Sequence, residues 1–151
     1  MTSIVWYELT HASQLTRMKS DKNLLWASDY WSKVVYQQAK NELSAGSPYG
    51  KKGDSNWQII ALAEGWANYR QEDLTRRYLG NPHYVATRHD LLEPFLIMFR
   101  NLKAIGCSYT EMEKALCNHT VDGFKNYLVS KYPSKKSNIE KYVTDAYNDA
   151  K

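Results

Sequence analysis

Long apolar runs are missing from this chain. No stretch approaches the roughly 20 apolar residues that span a bilayer, and the first residues lack the basic start, apolar stretch and small-residue cleavage site of an export signal. Neither a membrane span nor a leader is expected in this sequence. Cysteine is scarce: Cys107 and Cys117 stand ten apart, outside C-x-x-C or any other ligand spacing. Two ordinary buried thiols are expected, with a disulfide as the alternative if the protein is exported. Phenylalanine is also sparse, with three against five Trp and twelve Tyr. That balance favours rings with a polar tip, which suit clefts and half-buried seams. Twenty basic and sixteen acidic residues give a net charge of +4 spread along the chain, with tight basic pairs at Lys51-Lys52, Arg76-Arg77 and Lys135-Lys136. No basic stripe for nucleic acid emerges.

Persuasive strand alternation is likewise lacking, and no repeat of 20 to 50 residues is visible. The 151 residues suit one domain with one core. Periodicity is helical nearly throughout, which predicts an all-α fold of about six to seven helices. One helix is expected over about Ser3 to Thr16, with Ile4, Tyr7, His11 and Gln14/Leu15 along one side, and a second over about Asn23 to Leu43. The Gly-, Pro- and Ser-rich segment Ser44 to Ser55 reads as an exposed loop. A helix over about Asn56 to Leu79 is stopped by Gly80 and Pro82. After a linker, Asp90 with Glu93 opens a helix ending at Gly106. Ser108 with Glu111 opens a short helix to about Cys117, and Thr120 opens another to about Lys131, where Tyr132-Pro133 breaks it. A last helix from about Ser137 carries Ile139, Tyr142, Val143 and Ala146 on one stripe. Residues 1–79 and 90–151 thus form two helical regions of one domain.

Chemistry concentrates in two segments. Tyr7-Glu8-Leu9-Thr10-His11 matches H-E-x-x-H except at its first position. On a helix, positions 7 and 11 share a face one turn apart and residue 8 lies beside them. In the intact motif two imidazoles hold zinc while the Glu takes a proton from metal-bound water. A third ligand is available in IIALAEGWANYRQ, where Glu64 stands among Ala and Gly. A carboxylate among small apolar residues is costly unless paired or metal-bound. Gly65 and Ala67 would admit a close helix, and Trp66 could wall the site.

Together, YELTHASQ and AEGWANY resemble the zinc helix and glutamate helix of gluzincin metallopeptidases, in particular an exported bacterial group reading like H-E-L-T-H-A-S and G-E-x-W. The resemblance covers about the first half of the chain in sequence, and the helical tail in character. It implies a cell-envelope or exported parent, a peptide substrate, Glu8 as general base, and His11 and Glu64 as zinc ligands. In that family a β-sheet precedes the zinc helix and its edge strand holds the substrate backbone. Two or three residues precede the expected helix here, so the resemblance implies that the chain is a C-terminal portion. A helix face left open by the absent sheet would favour self-association.

Tyr7 stands where the family has its leading His. A phenol must lose a proton of pKa about 10 to ligate well, a cost of ~4 kcal/mol at neutral pH, and its oxygen reaches roughly 2 Å further than a His Nε2, about one metal–ligand bond. Weak or absent zinc, and impaired or absent peptide hydrolysis, are expected.

Plainer readings stand beside these. Glu8 and His11 could be a chance near-motif on an amphipathic helix, with His11 satisfied by a hydrogen bond and Glu64 paired with a basic neighbour. Tyr69 is a candidate transition-state donor or, in a chain of twelve tyrosines, a packing residue. His83 and His89, six apart in the linker, are either substitute ligands or surface residues. The old cleft, lined by Trp66 and Tyr69, could equally serve a non-catalytic scaffold that binds a peptide or glycan. A helix-turn-helix over residues 109–128 is disfavoured, because the second helix's apolar position would fall on Lys125 and the turn lacks Gly.

Overall fold

The computed structural model describes residues 3–20, 40, 52–53, 57–80, 93–118 and 120–150. Six α-helices lie among them: α1 Ser3–Ser20, α2 Trp57–Leu79, α3 Glu93–Ala104, α4 Tyr109–Leu116, α5 Val121–Lys131 and α6 Lys136–Asp149, with a 3-10 turn at Pro133–Lys135 between the last two. The described residues contain no strand, so the all-α expectation holds. The helix expected over Asn23 to Leu43, the loop after it, the linker with His83 and His89, and the Asp90 cap lie outside the described residues, apart from Lys40 and the Lys52-Gly53 turn.

Helix α1 runs one turn further than the sequence suggested, because Arg17, Met18 and Lys19 contain no breaker and favour helix. Helix α2 stops where Gly80 adopts a left-handed φ of 64°. At the end of α3, Gly106 has φ 90°. Its N–H donates to the Lys103 carbonyl at 2.9 Å while Cys107 N–H donates to the Leu102 carbonyl at 3.0 Å. That is a Schellman closure, with the buried Cys107 and Leu102 supplying its apolar contact.

Ser108 and Thr120 cap α4 and α5, their hydroxyls accepting from Glu111 N–H at 3.1 Å and Gly123 N–H at 2.9 Å. The reciprocal half of the expected Ser108–Glu111 box is absent. The Glu111 carboxylate instead accepts from Tyr127 Oη at 2.8 Å, and Ser108 N–H donates to Tyr132 Oη at 3.0 Å. A tyrosine from α5 and one just beyond it take over the two jobs, tying α4 to the chain that follows.

Helix α2 is the central element, packing against α1 on one side and α3 on the other, with α6 behind α3 and α4–α5 closing the end. Closest approach falls at Gly65, where an added Cβ would lie 2.5 Å from Phe95 Cβ. Beyond it the aromatic core continues from Trp66 to Phe99, ring centroids 5.0 Å apart and edge-on, and from Phe99 to Phe124 at 5.5 Å. Met112, Ala115 and Leu116 are core residues, as are Ile139, Val143 and Ala146 of the α6 stripe, while Tyr142 is half-buried. The cysteines are not joined in a disulfide: Cys107 is buried, and Cys117 is half-buried with its thiol donating to the Glu113 carbonyl at 3.7 Å. No described helix is long and apolar enough to cross a membrane.

Candidate functional site

Helix α1 lays a polar edge on α2, and Thr10, Gln14 and Glu64 are buried in that seam. Thr10 satisfies its hydroxyl on its own helix, donating to the Trp6 carbonyl at 2.8 Å. Gln14, 2% exposed, reaches across: its amide N–H donates to the Ala63 carbonyl at 3.3 Å, and its Oε1 lies 3.0 Å from His11 Nδ1. The other imidazole nitrogen, Nε2, stands 3.8 Å from Glu64 Oε1. Residues 53 apart in sequence thus meet because α1 and α2 pack side by side.

Burial dominates the electrostatics of this pair. It pushes the Glu64 carboxyl up to about 7, since removing an ion from water favours its neutral form. It also lowers His11 below its ordinary value, against the opposing pull of the Gln14 hydrogen bond and the Glu8 charge. Burial thus disfavours the charged form of both partners.

The distance bears on metal binding. Zn–N and Zn–O bonds of about 2.0 to 2.2 Å at a tetrahedral angle put two donors roughly 3.4 Å apart, so 3.8 Å needs a small closure. The donor chemistry of His11 and Glu64 suits zinc. A full set is not assembled: among the described residues no group of three His, Cys, Asp or Glu side chains is placed to hold a metal. Glu8 is exposed on α1, near enough for its charge to act on His11. Of Tyr7 only the helical backbone is described.

Trp66 and Tyr69 lie elsewhere. Two positions along a helix turn roughly 200°, so Trp66 points away from α1, fully buried against Phe99 of α3 and Tyr109 of α4. Tyr69 is stacked beside Phe99, and burial raises its phenol. Both residues are packed in the aromatic core.

Gln14 is legible in the sequence as a residue on the His11 face, but no motif gives it a role. A glutamine at an inward position three residues after a histidine was the available signal. Nor does any motif mark Glu72 and Asp73. Glu72 is buried between Arg76 at 2.6 Å and Arg100 of α3 at 2.7 Å. Asp73 takes Arg70, Arg77 and the Tyr109 hydroxyl.

Compared with models of protein families, with curated proteins and with solved structures, the chain matches none.

Proposed function

We propose that this chain is a metallopeptidase-like helical domain with a degenerate zinc site, in which His11 and Glu64 face each other among the described residues, and whose capacity for peptide hydrolysis is impaired. The observation that carries the reading is the 3.8 Å approach of His11 Nε2 to Glu64 Oε1 across two helices. The motif-like flanks YELTHASQ and AEGWANY support it. A site short of the three protein ligands that catalytic zinc sites use would hold the ion loosely. When bound, zinc would supply Lewis-acid polarisation of a carbonyl and acidify a water. The chain's own part would be to hold that ion at His11 and Glu64 and to offer Glu8, exposed on the same helix as His11, as the proton acceptor. Tyr7 is the residue that departs from the motif, and a phenol's reluctance to give up its proton is what would weaken retention of the ion.

The test is calorimetric titration of the purified chain with zinc, alongside Glu64→Ala and Tyr7→His. Weak uptake that Glu64→Ala abolishes and Tyr7→His strengthens supports the reading. No uptake by the wild type or by Tyr7→His would sink it and favour the other reading, a scaffold that binds a peptide or glycan without metal.

A further inference from the structure

The hydrogen bonds around Gln14 decide a question of proton placement. The Ala63 carbonyl oxygen has lone pairs and no hydrogen, so the Gln14 atom 3.3 Å from it must be the amide nitrogen. That contact fixes which way the amide faces. The atom 3.0 Å from His11 Nδ1 is then the amide oxygen, which accepts and cannot donate. The shared hydrogen must therefore sit on Nδ1. A neutral imidazole carries one N–H, so Nε2 presents its lone pair toward Glu64.

We propose that Gln14 is a positioning residue that holds His11 as the Nδ1–H tautomer and aims its Nε2 lone pair toward Glu64. Free in water, a neutral histidine side chain favours the opposite, Nε2–H form, which would turn a hydrogen rather than a lone pair toward Glu64. Gln14 reverses the preference from a buried place on the same helix face, three residues on, and its own orientation is set by the backbone of α2 rather than by solvent. Position 14 and residue 63 thus act together. An α2 carbonyl orients an amide, the amide orients an imidazole, and the imidazole faces a carboxyl one residue further along α2. The assignment of the proton rests on the hydrogen bonds alone. Its significance for metal rests on the zinc reading above, in which Nε2 is the donor and an outer partner on the other nitrogen keeps it so.

The experiment is a long-range proton–nitrogen correlation spectrum of the ¹⁵N-labelled full chain at about pH 8, where imidazole is neutral, with His11→Gln identifying the signal. Wild type should show the Nδ1–H pattern. Gln14→Met, similar in length but unable to accept, should shift His11 toward Nε2–H and weaken any zinc uptake by roughly 10- to 100-fold. Gln14→Glu, which keeps an oxygen at the same reach, should retain Nδ1–H. An Nε2–H pattern in the wild type, or an unchanged pattern in Gln14→Met, overturns the proposal. If Gln14→Met fails to fold, the wild-type and Gln14→Glu spectra decide it. An Nδ1–H wild type that takes up no zinc supports the positioning role while sinking the zinc reading, so the two failures are distinct.

Discussion

His11 of α1 and Glu64 of α2 face one another at 3.8 Å with side chains 12% and 8% exposed, and the pair has a consequence for stability that needs no metal. Burial raises the folded-state Glu64 carboxyl from 4.5 to about 7. Between those values the folded chain holds a proton that the unfolded chain has released. Stability from this group is thus fully present below pH 4.5 and is lost as pH rises to about 7, by roughly 3 kcal/mol in all. His11 works in the opposite sense: its lowered value makes stability fall as pH drops below 6.5. Comparing Glu64→Gln with wild type isolates the first effect. The variant should be the more stable at pH 8 and lose its advantage at pH 4.5. Urea denaturation at the two pH values checks this, and an equal difference at both would contradict it.

Gly65 sits one residue from Glu64 and serves packing rather than chemistry. A methyl there would meet Phe95 Cβ at 2.5 Å, a contact with no flexible side-chain end to yield. Gly65→Ala gains helix propensity but must push α3 away from α2. The net loss should be about 1 to 3 kcal/mol, the usual cost of overpacking. A thermal melt that shows Gly65→Ala at or above the wild-type midpoint would refute the close crossing.

Much of this was legible in the sequence because it depends on local chemistry. Ser108 and Thr120 announce helix starts through hydroxyls that reach the N–H three residues on, and Gly80 and Gly106 announce stops because each takes a positive φ. The small residues around Glu64 signalled a close helix, and Phe95 is the residue that approaches. What depends on rotation about a helix axis, or on a distant partner, was harder to read. Trp66 lies near Glu64 in sequence yet faces the opposite side of α2. Glu111 spends its carboxylate on Tyr127, sixteen residues on, rather than on the cap. Gln14 gains its role from a backbone carbonyl 49 positions away, which no spacing rule reveals.

Glu72 marks a second place where burial raises the stakes of a charge. Its side chain is 7% exposed and holds Arg76 on its own helix and Arg100 on α3, both about half exposed. Truncating the carboxylate leaves two guanidiniums that water can still solvate, so the loss should fall below the 3 to 5 kcal/mol of a fully buried pair, at about 1 to 3 kcal/mol. Coupling is the sharper measure. A double-mutant cycle of Glu72→Gln with Arg100→Met should return an interaction of at least about 0.5 kcal/mol. Additive losses would mean that the cross-helix pair contributes nothing.

Tyr109 joins α4 to the far half of α2. Its hydroxyl donates to Asp73 Oδ2 at 2.9 Å and accepts from Arg77 Nη2 at 2.8 Å, while the Arg70 guanidinium lies 4.1 Å and the Lys103 ammonium 4.6 Å from the ring centroid. Substitution separates the hydroxyl's contacts from those of the ring, which also packs edge-on against Trp66. Tyr109→Phe keeps the ring and its cation contacts but deletes the hydroxyl, which should cost about 0.5 to 1.5 kcal/mol. Tyr109→Leu removes the ring face as well and should cost roughly another 1 kcal/mol or more. Because Arg77 is about half exposed, the Phe variant's loss should shrink in 1 M salt, where the Debye length is about 3 Å. Equilibrium denaturation of both variants at low and high salt measures each part, and equal losses for Phe and Leu would show that the ring contacts add nothing to the hold of α4 on α2.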